Sequence, residues 1–205
     1  MAKKIRDIRR PEIVRALFDA VMKNGVSLPG YDQIATEGGM TRQLIRHYFK
    51  DPDELALALC NYLADLYREK LMVAINDADD VKRLTTFIDF WFNGLADKGS
   101  PKPVDDQVYD ALFARAAVNM DVRENLKSQY ELMQMVLSHE IKISYPDLSQ
   151  NACRELGFLI VTQMYGTWKM VASLGFDEKQ VTVARKAIDR LIASYVADYH
   201  DPDLD

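Results

Sequence analysis

Tyr31-Asp32-Gln33-Ile34-Ala35-Thr36-Glu37-Gly38-Gly39-Met40-Thr41-Arg42-Gln43-Leu44-Ile45-Arg46-His47-Tyr48-Phe49 holds two short helical patterns that meet at a pair of glycines. Ile34 and Ala35 supply the apolar side of the first helix, and Gly38-Gly39 let the backbone turn sharply. Met40 fills the angle between the helices, and Thr41 can cap the second. The pattern predicts a helix-turn-helix.

On a wheel of about 100° per residue with Arg42 at zero, Arg46 falls at about 40°, Lys50 at about 80°, Gln43 at about 100° and His47 at about 140°. Ile45 and Phe49 lie on the other side of zero, so the apolar part can anchor the helix while the polar arc faces outward. Arginine can bind guanine, and glutamine adenine, through two parallel hydrogen bonds. Arg42 and Gln43 are therefore assigned to bases, with Thr41 and Arg46 beside them, and His47, Tyr48 and Lys50 to phosphate oxygens. A charged arc alone is most often a solvated helix face. The glycine turn, the short first helix and the position near the N-terminus favour DNA instead.

From about residue 11 to 62 the chain resembles the DNA-binding domain of the TetR (tetracycline-repressor) family of bacterial one-component regulators. His47-Tyr48-Phe49, followed by the capped acidic helix start Asp51-Pro52-Asp53-Glu54-Leu55, carries the resemblance. It implies an all-α fold in which an N-terminal three-helix head is joined by a long helix to a C-terminal helical domain for ligand binding and dimerisation. Three positions depart from the family pattern. Pro52 stands where many members carry a phosphate-binding lysine, Arg46 replaces the commoner tyrosine, and Gln43 a commoner glycine. Pro52 suits the first helical position, with Asp51 as cap and Glu54 closing a capping box, and leaves the phosphate to Lys50.

Charge divides the 205 residues unevenly. Residues 1–50 hold ten Lys/Arg against five Asp/Glu, a net +5, whereas residues 51–205 carry −10. Phosphate attraction is local and charges are screened beyond about 10 Å, so an acidic total is compatible with DNA. The basic start, Ala2 to Arg10, reads equally as an arm following the DNA backbone or as a solvated tail. It lacks the apolar stretch of a signal peptide, Cys60 and Cys153 form no cysteine framework, and the apolar segment 156–176 is interrupted by Thr162, Gln163, Thr167 and Lys169. A cytoplasmic protein with no membrane association is expected.

Helical periodicity runs throughout. The first helix is expected from about Pro11 to Asn24-Gly25 and the fourth from Pro52 to about Asn76, followed by helices at about 81–97, 105–119, 122–144, 149–174 and 177–199. Residues 98–103 read as a loop, Gly175 as a helix stop, Asp177 with Gln180 as a cap, and the acidic end 201–205 as frayed. The domains expected are 1–51 for DNA binding, the connecting helix 52–76, and 77–205 for effector binding and dimerisation.

The helix from Leu156 to Val171 has little polar face, and the last helix carries Ile188, Leu191, Ile192 and Tyr195 at helical spacing. Together with Tyr165 and Trp168 these are the expected dimer contacts, in a four-helix seam that presents two recognition helices to a palindromic operator. The resemblance further implies a small effector held in the acidic part, with Phe87, Trp91, Phe113, Met133, Met164, Tyr165 and Trp168 as candidate lining. No cofactor and no metal are expected, and the resemblance implies a ligand-responsive repressor, since most of the family represses. The rivals are a helical protein-binding adaptor and an enzyme. For the latter, His139-Glu140 begins like a zinc-protease motif, but Ile143 stands where the second histidine is needed.

Overall fold

Apolar residues at helical spacing form nine α-helices among the residues that the computed structural model describes, which are 2–25, 27–76, 83–94 and 105–198. These are α1 (Ala2–Asn24), α2 (Tyr31–Glu37), α3 (Arg42–Tyr48), α4 (Pro52–Asn76), α5 (Arg83–Asp89), α6 (Asp106–Ala116), α7 (Met120–Ser144), α8 (Gln150–Trp168) and α9 (Lys179–Asp198). No strand occurs among the described residues.

Helix α1 begins at Ala2 rather than at Pro11, which sits inside it. Proline inside a helix removes one backbone hydrogen bond and crowds the carbonyl four residues before it, at a cost of about 3 kcal/mol, while the preceding lysines and arginines are good helix formers. The expected arm is therefore helical in its backbone, while the side chains of residues 1–7 lie outside the described residues. So do the loop 98–103, the acidic end 201–205 and the outer turns of the helix expected at 81–97.

Two further helices depart from their expected ends. Helix α5 passes into a π turn at Phe90–Gly94, and α8 into another at Lys169–Ser173. Gly175 does end that segment, in the left-handed region at φ +71°. Asp177 accepts a hydrogen bond from the backbone N–H of Lys179 at 2.8 Å, whereas Gln180 donates its own N–H to the backbone carbonyl of Asp177, so no capping box with Gln180 forms. Ser149 caps α8 through the N–H of Ala152.

The helices pack into two compact units. The first comprises Met1–Arg68 with Val104–Ser128, and its core joins Ile13, Leu17 and Val21 of α1 to Ile34, Ile45, Phe49, Leu59 and Leu63, and to Val108, Leu112 and Val122. Burying each such side chain contributes about 1.5–3 kcal/mol. The Tyr67 hydroxyl donates to both carboxylate oxygens of Asp105 at 2.8 and 2.9 Å, tying α4 to the start of α6. Burial, with the Asp105 charge behind it, pushes the Tyr67 hydroxyl far above the ordinary tyrosine range. By packing, α6 and the first turns of α7 thus share the core of the helix-turn-helix. Phe113, expected in an effector pocket, is partly buried against this core.

The second unit comprises Glu69–Pro103 with Gln129–Asp205. Its core draws on Phe87, Ile88 and Phe92, Leu137 and Ile141, Leu156 and Ile160, and Val181, Ile188 and Ile192. Gly157 allows α7 and α8 to approach closely, since a Cβ there would lie 2.9 Å from the Gln134 carbonyl oxygen. Ile188 and Ile192 are buried in the core of the single chain, which corrects their assignment to a partner-facing seam. The stripe they form is the one any core-facing helix carries.

Candidate nucleic-acid interface

Local chemistry builds the helix-turn-helix. The Gln33 side chain accepts from the N–H of Gly30 at the start of α2, and the Thr41 hydroxyl oxygen accepts from the N–H of Leu44 at the start of α3. The two glycines between them differ in role. Gly39 takes φ +58°, where side chains are strained, while Gly38 has an ordinary φ but a Cβ on it would sit 2.8 Å from that of Ala16 in α1. One makes the turn and the other lets it pack. Met40 is half-buried against the core, as a plug for the angle should be.

Ile45 and Phe49 are fully buried, and Thr41, Arg42, Gln43, Arg46, His47 and Lys50 are exposed. The expected arc is therefore one solvent-facing surface. Tyr48 stands at its border, half-buried, with its ring edge-on to that of His47 at 5.0 Å. Arg42 donates to the Asp32 carboxylate at 3.1 Å, and the Arg46 guanidinium lies 6.0 Å from the Tyr31 ring centre. Exposed ion pairs contribute about 0–1 kcal/mol, so the Asp32 contact is readily exchanged for another acceptor. Burial and the Asp51 charge hold the Tyr31 hydroxyl above its ordinary pKa, keeping it a hydrogen-bond donor, and it reaches the Phe49 carbonyl at 3.4 Å.

The far end of α3 is locked by a residue that helical periodicity does not single out. Arg10 of α1 donates to the Tyr48 carbonyl at 2.6 Å and to Glu54 at 2.8 Å, and stacks over the Phe49 ring at 4.0 Å. Glu54 also accepts from the N–H of Lys50, while its own N–H bonds to the Asp51 carboxylate. The capping box thus reaches back one residue further than the usual form, to Lys50 rather than to Asp51. Burial opposes ionisation of Glu54, but the bonds from Arg10 and Lys50 prevail and lower its pKa. Arg10, Glu54 and Asp51 fix where the exposed arc points.

Comparison with solved structures closes the question of fold. A TetR transcription regulator from Haloarcula marismortui superimposes with a TM-score of 0.74 at 16% identity, covering 90% of this chain and 96% of that one. The chain has the fold of the TetR regulators. A transcriptional regulator from a Rhodococcus species matches this fold at a TM-score of 0.70, with 16% identity and 92% and 96% of the two chains covered. FadR from Bacillus subtilis, solved with stearoyl-CoA, matches at 0.61, with 18% identity and 88% and 96% covered. No family model matches the chain, and no curated protein matches its sequence.

In the second unit of this TetR fold, the expected effector residues separate. Phe87, Trp91, Met133 and Met164 line one apolar cavity, together with Ile88, Phe92, Leu137, Ile160 and Val161. Tyr165 instead packs edge-on against Tyr130 at 6.3 Å and beneath Lys169, and Trp168 donates its indole N–H to the Trp91 carbonyl. Of the expected dimer contacts, Leu191 and Tyr195 are half-buried against the chain's own core. The large apolar side chains left exposed on α8 and α9 are Phe158, 55% exposed, and Val183, 54%. Glu140, of the pair that resembled a protease motif, is buried and bound to Arg83 at 2.8 Å. No helix among the described residues is long and apolar enough to cross a membrane, and none of their His, Cys, Asp and Glu side chains gather as a metal site.

Proposed function

We propose that the chain is a DNA-binding transcription regulator, acting as a homodimer on an inverted-repeat operator and answering to a small molecule held in its second unit. The observation that carries this reading is the exposed arc of Arg42, Gln43, Arg46, His47 and Lys50, set on a helix whose other side is pinned by Ile45 and Phe49. Within this reading Arg42 leaves Asp32 for a guanine edge, Gln43 reads an adjacent base, and Arg46 lies between bases and backbone. His47, Tyr48 and Lys50 hold phosphates, and the Thr41 hydroxyl keeps its cap while offering its hydrogen to an oxygen of the backbone.

The dimer face of this reading is the stripe Phe158, Thr162 and Gly166 of α8, beside Val183 and Ala187 of α9. Phe158, Thr162 and Val183 are exposed, and a Cβ on Gly166 would meet nothing within 4 Å, so another helix has room to approach. Twofold symmetry would present two copies of α3 to grooves about 34–36 Å apart. The effector represses or releases binding only through a difference in its affinity for the two states of the protein.

Selection from a random-sequence duplex library at about 0.15 M salt tests the reading. An enriched inverted repeat that is lost in an Arg42→Ala, Arg46→Ala double variant is expected. A library that returns unenriched, from protein that is folded, would favour the adaptor.

A further inference from the structure

The polar arc does not end with α3. Two of its arginines meet the first turn of α2: Arg42 donates to the Asp32 carboxylate at 3.1 Å, and the Arg46 guanidinium lies 6.0 Å from the Tyr31 ring centre. The Asp32 side chain is 75% exposed and that of Arg42 53%, so the pair lies on the same open surface as the arc.

Local structure asks little of the Asp32 carboxylate. Gly30 is the N-cap of α2 and Gln33 makes its capping bond, while the Thr36 hydroxyl donates to the backbone carbonyl of Asp32 and not to its side chain. What remains is an acidic residue in the first turn of a short helix and one exposed ion pair, each of which contributes little to stability. On a surface that attracts phosphates the same charge is a liability. Its place there is explained if it selects among bases.

Base edges in the major groove differ in hydrogen-bond polarity. Guanine presents two acceptors, O6 and N7, and thymine the acceptor O4, whereas cytosine presents the donor N4. A carboxylate only accepts, and a guanidinium only donates. Arg42 and Asp32 together therefore match a G·C pair, the arginine at O6 and N7 and the carboxylate at N4. Spacing agrees with this match. The Arg42 nitrogen and the Asp32 oxygen stand 3.1 Å apart, and O6 and N4 of a G·C pair are themselves joined by a hydrogen bond of about 2.9 Å. The two side chains can exchange their mutual bond for two base contacts with little movement. Opposite any other pair the carboxylate that Arg42 releases stays unpaired or faces an acceptor, which is costly. Selection of this kind excludes the wrong base as well as holding the right one.

We propose that Asp32 is a specificity-determining residue of this interface, which accepts from N4 of the cytosine paired with the guanine that Arg42 reads. The proposal deepens the regulator reading and rests on it.

The base pair read by Arg42 is located first. It is the pair whose preference is lost in Arg42→Ala, in an operator selected by the full-length protein at about 0.15 M salt. N4-methylcytosine is then placed opposite the guanine, where it keeps the pairing and the guanine edge but replaces the groove-facing N4 hydrogen by methyl. The natural chain is expected to bind the methylated duplex about five- to tenfold more weakly. Asp32→Ala, with an unchanged circular dichroism melt because the residue is exposed, should bind the two duplexes within about twofold of one another. Equal losses in the natural chain and in Asp32→Ala, or no loss in either, would overturn the assignment, as would an Arg42-dependent pair other than G·C. Each of those results leaves the regulator reading intact. A library that enriches no sequence from folded protein would end that reading and the role of Asp32 together.

Discussion

In α3 and its C-terminal cap two side chains, Ile45 and Phe49, are buried and the helix turns a polar arc to solvent, whereas α9 buries Val181, Ala184, Ile188 and Ile192 and still leaves Val183 outside. Both helices are amphipathic, yet the informative residues lie on opposite kinds of face. A short helix held by two anchors needs little apolar surface, so its excess of arginine, glutamine, histidine and lysine signals a polar partner. A long helix spends its apolar stripe on its own core. What signals a partner there is the apolar residue that remains outside the stripe.

The largest test of that contrast sets Ile192 against Phe158. Ile192→Asp places an unpaired charge in the core of the second unit and is expected to cost about 3–5 kcal/mol, unfolding that unit in urea titrations followed by circular dichroism. Phe158→Glu should leave the helical signal intact while sedimentation shows dissociation to monomers. The reverse outcome, a folded monomer from Ile192→Asp and no change from Phe158→Glu, would return the stripe to the interface.

Within α3 the contrast sharpens into two kinds of polar contact. Arg42→Ala is expected to weaken a selected operator by about 1–3 kcal/mol and to relax preference at one base pair. Lys50→Ala should weaken all duplexes alike and lower the salt slope by about one unit. Equal sequence preference in both variants would assign the two residues to the same role.

Acid should loosen the anchoring of α3 through Glu54. Its pKa is lowered in the folded state, so the contribution is complete above the ordinary carboxylate range and is lost as pH falls through the folded value. Thermal melts from about pH 6 to about pH 3 should show a smaller acid loss in Glu54→Gln than in the natural chain. The smallest effect belongs to Asp32→Asn. Freeing Arg42 and removing one exposed negative charge should tighten binding to any duplex by about two- to fivefold at low salt, measured by fluorescence anisotropy.

The elements decided by nearby residues were legible in the sequence. The helix-turn-helix, the Thr41 and Asp51 caps, the bounds of α4 and the exposed arc all follow from spacing over a few residues. What depends on distant partners was not. Arg10 meets Tyr48 and Glu54 across 38 and 44 residues, and α6 joins the core of the first unit through contacts no periodicity reports. The π turns have no residue signature, since Phe90–Gly94 continues the apolar pattern of an ordinary helix. Ile192 shows the limit of helical spacing: an apolar side chain on a helix announces burial but not what buries it.

The most direct test of the central claim places a DNA-cleaving iron chelate on the recognition arc. Cys60 and Cys153 are free but buried, which pushes the Cys60 thiol up to about 12 and raises that of Cys153, so a thiol introduced by His47→Cys is the one that labels near neutral pH. Bound to a selected operator, the labelled protein should cut at two symmetry-related patches about one helical turn apart, or about 10–10.5 base pairs between centres. Cutting spread evenly along the duplex, or absent while the duplex stays bound, would contradict reading of DNA by this face of α3.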